Sequence, residues 1–230
     1  MSKSLLTPLA VAALFLAGTR PARADVTVGL PADSGNGNCF PFSCSYVGEY
    51  QQVYSHTQFG RSITITSLDF YNTALNTGAT ALQSGNWAIS LSTTGADWNT
   101  LSGVYANNIG TNNALVFNGN LAQPWAFGDV LKIKLTTPFI YNPANGNLLL
   151  DVVASGVSQF GNGVFFDTNG LNNFGYNGNT FLGRVYTNSN VNSGYGLVTT
   201  FSAVPEPGFA GLVGLALTGM GMAIRRRRTA

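Results

Sequence analysis

The sequence predicts an all-β protein whose body is a two-sheet, jelly-roll-like sandwich. Short runs rich in β-branched and aromatic residues recur about every 10–20 residues, with Asn/Gly clusters between them. No long Glu/Lys/Ala run is present to build amphipathic helices. No internal repeat of the kind that builds propellers or solenoids is visible.

The elements follow in order. Tyr46–Ser55 reads as a strand, and Ile63–Tyr71 as the next. In the second, Ile63 and Ile65 share one face while Leu68 and Phe70 fall in the opposite phase. A bulge near Thr66–Ser67 reconciles them. Trp87, Ile89 and Leu91 alternate with Ala88, Ser90 and Ser92, which makes a half-buried strand with Trp87 in the core. Ala114–Leu121 follows. In Val130–Thr136, Leu131, Ile133 and Leu135 point inward while Lys132 and Lys134 face water, and Pro138 is expected to end the strand. Asn145-Gly146 supplies a tight turn before Leu148–Ala154, which is apolar on both faces apart from Asp151 and is therefore central. Val164–Asp167, Phe181–Thr187 and Tyr195–Ala203 complete roughly ten strands.

The body, residues 25–203, holds Arg61, Lys132, Lys134 and Arg184 against eight carboxylates, a net of −4. The whole-chain charge of +2 therefore comes from the two ends and implies no nucleic-acid partner. Solubility rests on neutral polar residues, among them 24 Asn that supply turn chemistry. The only cysteines are Cys39 and Cys44. An exported chain meets oxidants, so they are read as a disulfide. No Cys/His cluster completes a metal site, and no cofactor is expected.

Candidate chemistry is sparse. His56 is the only histidine and lacks a G-x-S-x-G partner, so it reads as a hydrogen-bonded strand-end residue. Glu49, Asp69, Asp151 and Asp167 are the carboxylates available to a glycosidase, but no local motif pairs them. Asp151 is read as buried and satisfied by backbone. Asp167 and Asn169 form a weak calcium candidate without a second acid at loop spacing. Sugars stack on exposed aromatics, and four sit among turn residues: Trp98, Trp125, Tyr176 and Tyr195. These are the candidate glycan contacts, with coverage of the sandwich ends as their plainer role. The body is read as non-enzymatic.

The two ends carry sorting information. Met1 to Ala24 has a basic start at Lys3, an apolar run from Leu5 to Ala17, and Ala22-Arg23-Ala24 as an A-x-A cleavage site. That is a secretory signal peptide, handled by the Sec translocon and signal peptidase. Residues 204–230 begin Val204, Pro205, Glu206, Pro207, continue with an uncharged run from Gly208 to Ile224, and finish with Arg225, Arg226, Arg227 and Arg228. As a helix the run spans ~25 Å, the lower limit for a membrane crossing. The four arginines stay cytoplasmic and stop transfer. The prolines hold Pro-Glu-Pro as an extended peptide outside the membrane.

This order of motif, span and Arg cluster resembles the PEP-CTERM sorting domain, also labelled an ice-binding protein C-terminal domain. The resemblance implies handling by an exosortase of a Gram-negative bacterium that makes exopolysaccharide. It implies a body first anchored on the periplasmic side of the inner membrane, then delivered to the cell surface or extracellular matrix. A plain membrane anchor is the other reading, and retention or removal of the tail stays open. The expected function is therefore an exported surface or matrix protein with weak glycan affinity. An extracellular polysaccharide-active enzyme and a purely structural adhesive subunit are its rivals. Run Tyr141–Val152 looks most like the sandwich domains that accompany such tails, and that likeness carries no activity.

Overall fold

A computed structural model describes residues 25–158, 162–172, 175–176, 179–187 and 190–205, with side chains at all but 171–172, 175–176 and 205. In chain order the strands begin β1 (Val26–Val28), β2 (Gly48–Tyr54), β3 (Ile63–Tyr71), β4 (Asn86–Thr94) and β5 (Ala114–Gly119). They continue β6 (Val130–Tyr141), β7 (Asn147–Ser155), β8 (Thr168–Asn169), β9 (Leu171–Asn172) and β10 (Gly175–Tyr176). The last are β11 (Leu182–Tyr186), β12 (Asn190–Ser193), β13 (Gly196–Leu197) and β14 (Thr199–Pro205). Among the described residues there is no α-helix, only three short 3-10 turns.

Two antiparallel sheets make the sandwich. One runs β1-β14-β3-β6 and the other β12-β11-β2-β7-β4-β5, with two-stranded pairs β8/β13 and β9/β10 beside them. The phase change in β3 is a register shift between Ile65 and Ser67, opposite a jump from Phe139 to Lys134 in β6. That jump corrects one expectation. Pro138 does not end β6; the strand runs on to Tyr141, with residues 135–138 lying in the register shift, so a residue without an N–H is carried inside the strand. Val164–Asp167 also departs from expectation. It forms only a bridge from Phe166 to Asn38, because the 165–167 backbone bonds the 38 and 71–72 segments instead. Tyr195–Ala203 divides into β13 and β14.

The core between the sheets is aromatic. Trp87, Tyr50, Tyr54, Tyr141, Phe42, Phe70, Phe166 and Phe201 are all fully buried. Rings meet edge to face, as in Tyr54–Phe201 at 4.9 Å and Phe59–Tyr141 at 4.8 Å, an arrangement favoured by the ring quadrupoles. β7 lies between β2 and β4, the central place its apolar sequence requires.

The segment after β4 folds back over the outer face of the larger sheet. There Leu101, Ala96 and Ile109 pack on Val53 and Leu149 as a second, smaller core. Gly110 sets how closely it approaches: a Cβ there would fall 1.8 Å from the Thr93 carbonyl oxygen.

Cys39 and Cys44 are bonded, as the sequence led us to expect. Between them the Pro41 carbonyl accepts a hydrogen bond from Trp87 Nε1 at 3.0 Å, and Phe42 enters the core. The loop is short, so its closure stabilises by only about 2 kcal/mol. Replacing both cysteines with serine is expected to lower the unfolding free energy by that amount, read as a lower urea midpoint at unchanged slope. Reductant should lower the parent's midpoint equally and leave the variant's unmoved.

The first and last strands are neighbours. Val26 pairs with Phe201, and the Ala203 amide donates to Asp25 Oδ1 at 3.2 Å. β14 runs on past residue 203, with Val204 opposite Thr64 and Pro205 opposite Ile63. The sandwich therefore extends two residues beyond the expected boundary, and Pro205 is strand rather than free peptide. Residues 1–24, including Ala22 and Ala24, lie outside the described residues, as do Glu206, Pro207 and Arg225–Arg228. Among the described residues no helix is long and apolar enough to cross a membrane.

Candidate functional site

Strand alternation creates the first site. In β2, Tyr50, Gln52 and Tyr54 face the core, which turns Glu49, Gln51 and Val53 to the outer face. In β7 the outer set is Leu149, Asp151 and Val153. Gln51 lies directly opposite Asp151, and Glu49 opposite Val153, so the two carboxyl groups are diagonal neighbours. They meet in a hydrogen bond. Gln51 Nε2 donates to Glu49 Oε1 and to the Tyr105 carbonyl, each at 3.2 Å. Its oxygen accepts from Asn108 Nδ2 at 2.9 Å. The folded-back segment is thus fastened to the sheet beside the acid pair.

The electrostatics follow from that position. Burial pushes the Asp151 carboxyl up to about 7, helped by the negative charge of Glu49. Burial also raises Glu49, against the hydrogen bonds from Asp151 and Gln51. Tyr105 is pushed up to about 12 by burial and by Tyr46, Glu49 and Asp151. Asp151 Oδ1 is buried without a hydrogen-bond partner. Two ionised carboxylates are acceptors only, so one proton between them is what satisfies the pair. Asp151 is buried as expected but held by a side chain rather than by backbone. The pair can store and release a proton near neutral pH.

A second cluster lies on the inner face of β11. Arg184 is 5% exposed. Its Nε donates to Asn192 Oδ1 at 3.1 Å, and the guanidinium carbon sits 4.3 Å from the Tyr186 ring centre and 4.2 Å from that of Tyr195. Tyr50 donates to Gln52 Oε1 at 2.6 Å, and Gln52 clamps Leu197 through both its amide and carbonyl groups. Burial raises the Tyr50 hydroxyl despite the nearby Arg184 charge.

The aromatic candidates are dispersed. Trp125 is 5% exposed, and its Nε1 donates to Asn72 Oδ1 while its ring meets Phe166 edge on. It is core, because Thr80 and Leu82 tie its loop across the sandwich end. Tyr195 is buried against Arg184, so it offers no platform. Tyr176 lies in β10, with its side chain outside the described set. Trp98 is partly exposed, in a turn whose carbonyl packs on Gly183.

The acids separate likewise. Asp167 is buried, and its carboxylate accepts from the amides of Thr73 and Ala74 and from the Thr73 hydroxyl. Asn169 bonds Pro31 and Asn179 instead, so the two calcium candidates do not converge. Asp69 pairs with Lys132 at 3.1 Å. His56 is exposed, and its backbone amide donates to Asn147 Oδ1. A groove of about 240 Å³ runs between Phe117, Gln123, Lys132 and Lys134, smaller than usual small-molecule sites.

Sequence reasoning missed the Glu49–Asp151 contact and the Arg184 cluster. The available signals were Asp151 as the one polar residue in an apolar run and Arg184 as the only cation between 135 and 205. No protein-family model matches the chain, and no curated protein matches its sequence.

Proposed function

We propose that this chain is an exported protein of the bacterial cell surface or exopolysaccharide matrix, with a non-enzymatic sandwich as its delivered body. The observation that carries the proposal is Val204-Pro205-Glu206-Pro207 followed by an uncharged span and four arginines, with a secretory signal at the other end. In this reading the Sec translocon and signal peptidase act first, the tail holds the body at the inner membrane, and an exosortase processes it. The bonded cysteine pair and a surface of neutral polar residues suit an oxidising compartment outside the cytoplasm. Any glycan affinity of the loops falls to Trp98 and Tyr176, since Trp125 and Tyr195 are interior.

The test is fractionation of cells carrying Glu206→Ala. The expected result is an unprocessed, larger protein retained with the inner membrane and a depleted surface fraction. Unchanged mass and unchanged surface abundance would end this reading of the tail.

The Glu49–Asp151 pair favours one rival, an extracellular hydrolase, because a carboxyl titrating near 7 is suited to acid–base work. Release of reducing ends from the native polysaccharide, abolished by Asp151→Asn, would put the enzyme in place of the binding protein.

A further inference from the structure

Arg184 is the only buried cation among the described residues. A guanidinium stays charged at every physiological pH, and burying it is strongly unfavourable unless an opposite charge reaches it. Its contacts here are neutral: the Asn192 carbonyl oxygen, a hydrogen bond with the Tyr50 hydroxyl, and the rings of Tyr186 and Tyr195. Nη1 is buried and has no hydrogen-bond partner.

The missing charge is not elsewhere in the sandwich. All eight carboxylates between residues 25 and 205 are described, and the one ion pair among the described residues is Lys132–Asp69. The residues of that range outside the description are Gln, Phe, Gly, Asn and Ser, none of which carries a negative charge.

We propose that Nη1 of Arg184 binds an anionic oxygen from outside the chain, and that the ligand is a carboxylate borne by a uronic acid unit of polysaccharide. A carboxylate balances one guanidinium charge, whereas phosphate would leave surplus negative charge in the same neutral surroundings. The uronate part rests on the surface reading above; the carboxylate part does not. The route in is the sheet edge. β12 is hydrogen-bonded to β11 alone, and its Asn190 and Val191 are exposed. An edge strand with one neighbour opens at lower cost than the core.

The test titrates the full chain, in mild detergent, with sodium galacturonate, galactose, sodium acetate and sodium phosphate. The readouts are the thermal midpoint and the nitrogen-15 resonance of Arg184 Nε. Galacturonate is expected to move the resonance and raise the midpoint, with acetate weaker and galactose without effect. Galacturonate affinity should fall at least about tenfold in Arg184→Met, which loses a charge-assisted hydrogen bond. That variant sheds an unpaired buried charge and is expected to fold; the parent's resonance gives an answer even if it does not. Equal shifts from acetate and galacturonate overturn the uronate assignment. Phosphate binding more tightly than either carboxylate overturns the carboxylate. An Arg184 resonance unmoved by all four overturns the site. Failure of the Glu206→Ala fractionation leaves these titrations as they are, so the two readings fail separately.

Discussion

Asp151→Asn will stabilise the sandwich at pH 8 and leave it nearly unchanged at pH 4. The reason is the proton that Asp151 holds in the folded chain. Its carboxyl is raised from an ordinary 3.8 to about 7 by burial and by Glu49. Between those values the folded protein keeps a proton that the unfolded chain has released. Stability therefore declines as pH rises through that window and is fully present only below it. Across the window the parent loses roughly 2–4 kcal/mol. Asparagine does not ionise, and its amide can donate to Glu49 where the shared proton stood. Urea unfolding of both proteins at pH 4 and pH 8 gives the difference. Equal stabilities at pH 8 would show that Asp151 is already ionised there at no cost.

Trp87→Ala will be the most damaging single change in the core. Trp87 is fully buried between the sheets, and its Nε1 donates to the Pro41 carbonyl at 3.0 Å. The change removes the ring, leaves a cavity and strands that carbonyl. A loss of about 4 kcal/mol follows from comparable truncations. Trp87→Phe keeps most of the packing and loses the donor, so it should cost about 1–2 kcal/mol. A Phe variant as unstable as the Ala variant would assign the effect to the hydrogen bond rather than to the cavity.

Strand alternation was the part of this fold most open to reading. β3 with its bulge, β7 as the central strand, and Lys132 and Lys134 on the outer face of β6 all follow from local pattern. Pro138 misled because local chemistry does not reveal that the partner strand has no residue opposite it. Trp125 and Tyr195 misled for a related reason. Turn residues around an aromatic suggest exposure, but these turns close over the ends of the sandwich and carry their rings inside. The Glu49–Asp151 pair needs the β2–β7 register, which joins residues 102 positions apart. The isolation of Arg184 needs the location of every carboxylate. Neither is encoded in any local window.

The pairing of β1 with β14 gives the sandwich a near and a far pole. Asp25 sits beside Ala203, so both ends of the body leave from one side. The turns from β2 to β3 and from β6 to β7 lie at that same side, because β3 opens at Ile63 and β6 closes at Tyr141, its partner. In the reading proposed above, with a membrane span from Gly208, only Glu206 and Pro207 separate β14 from lipid, a reach of at most about 7 Å. The pole bearing His56 and Pro143 would then rest on the headgroups. Glu49, at the opposite end of β2, would then point away from the bilayer and into the periplasm.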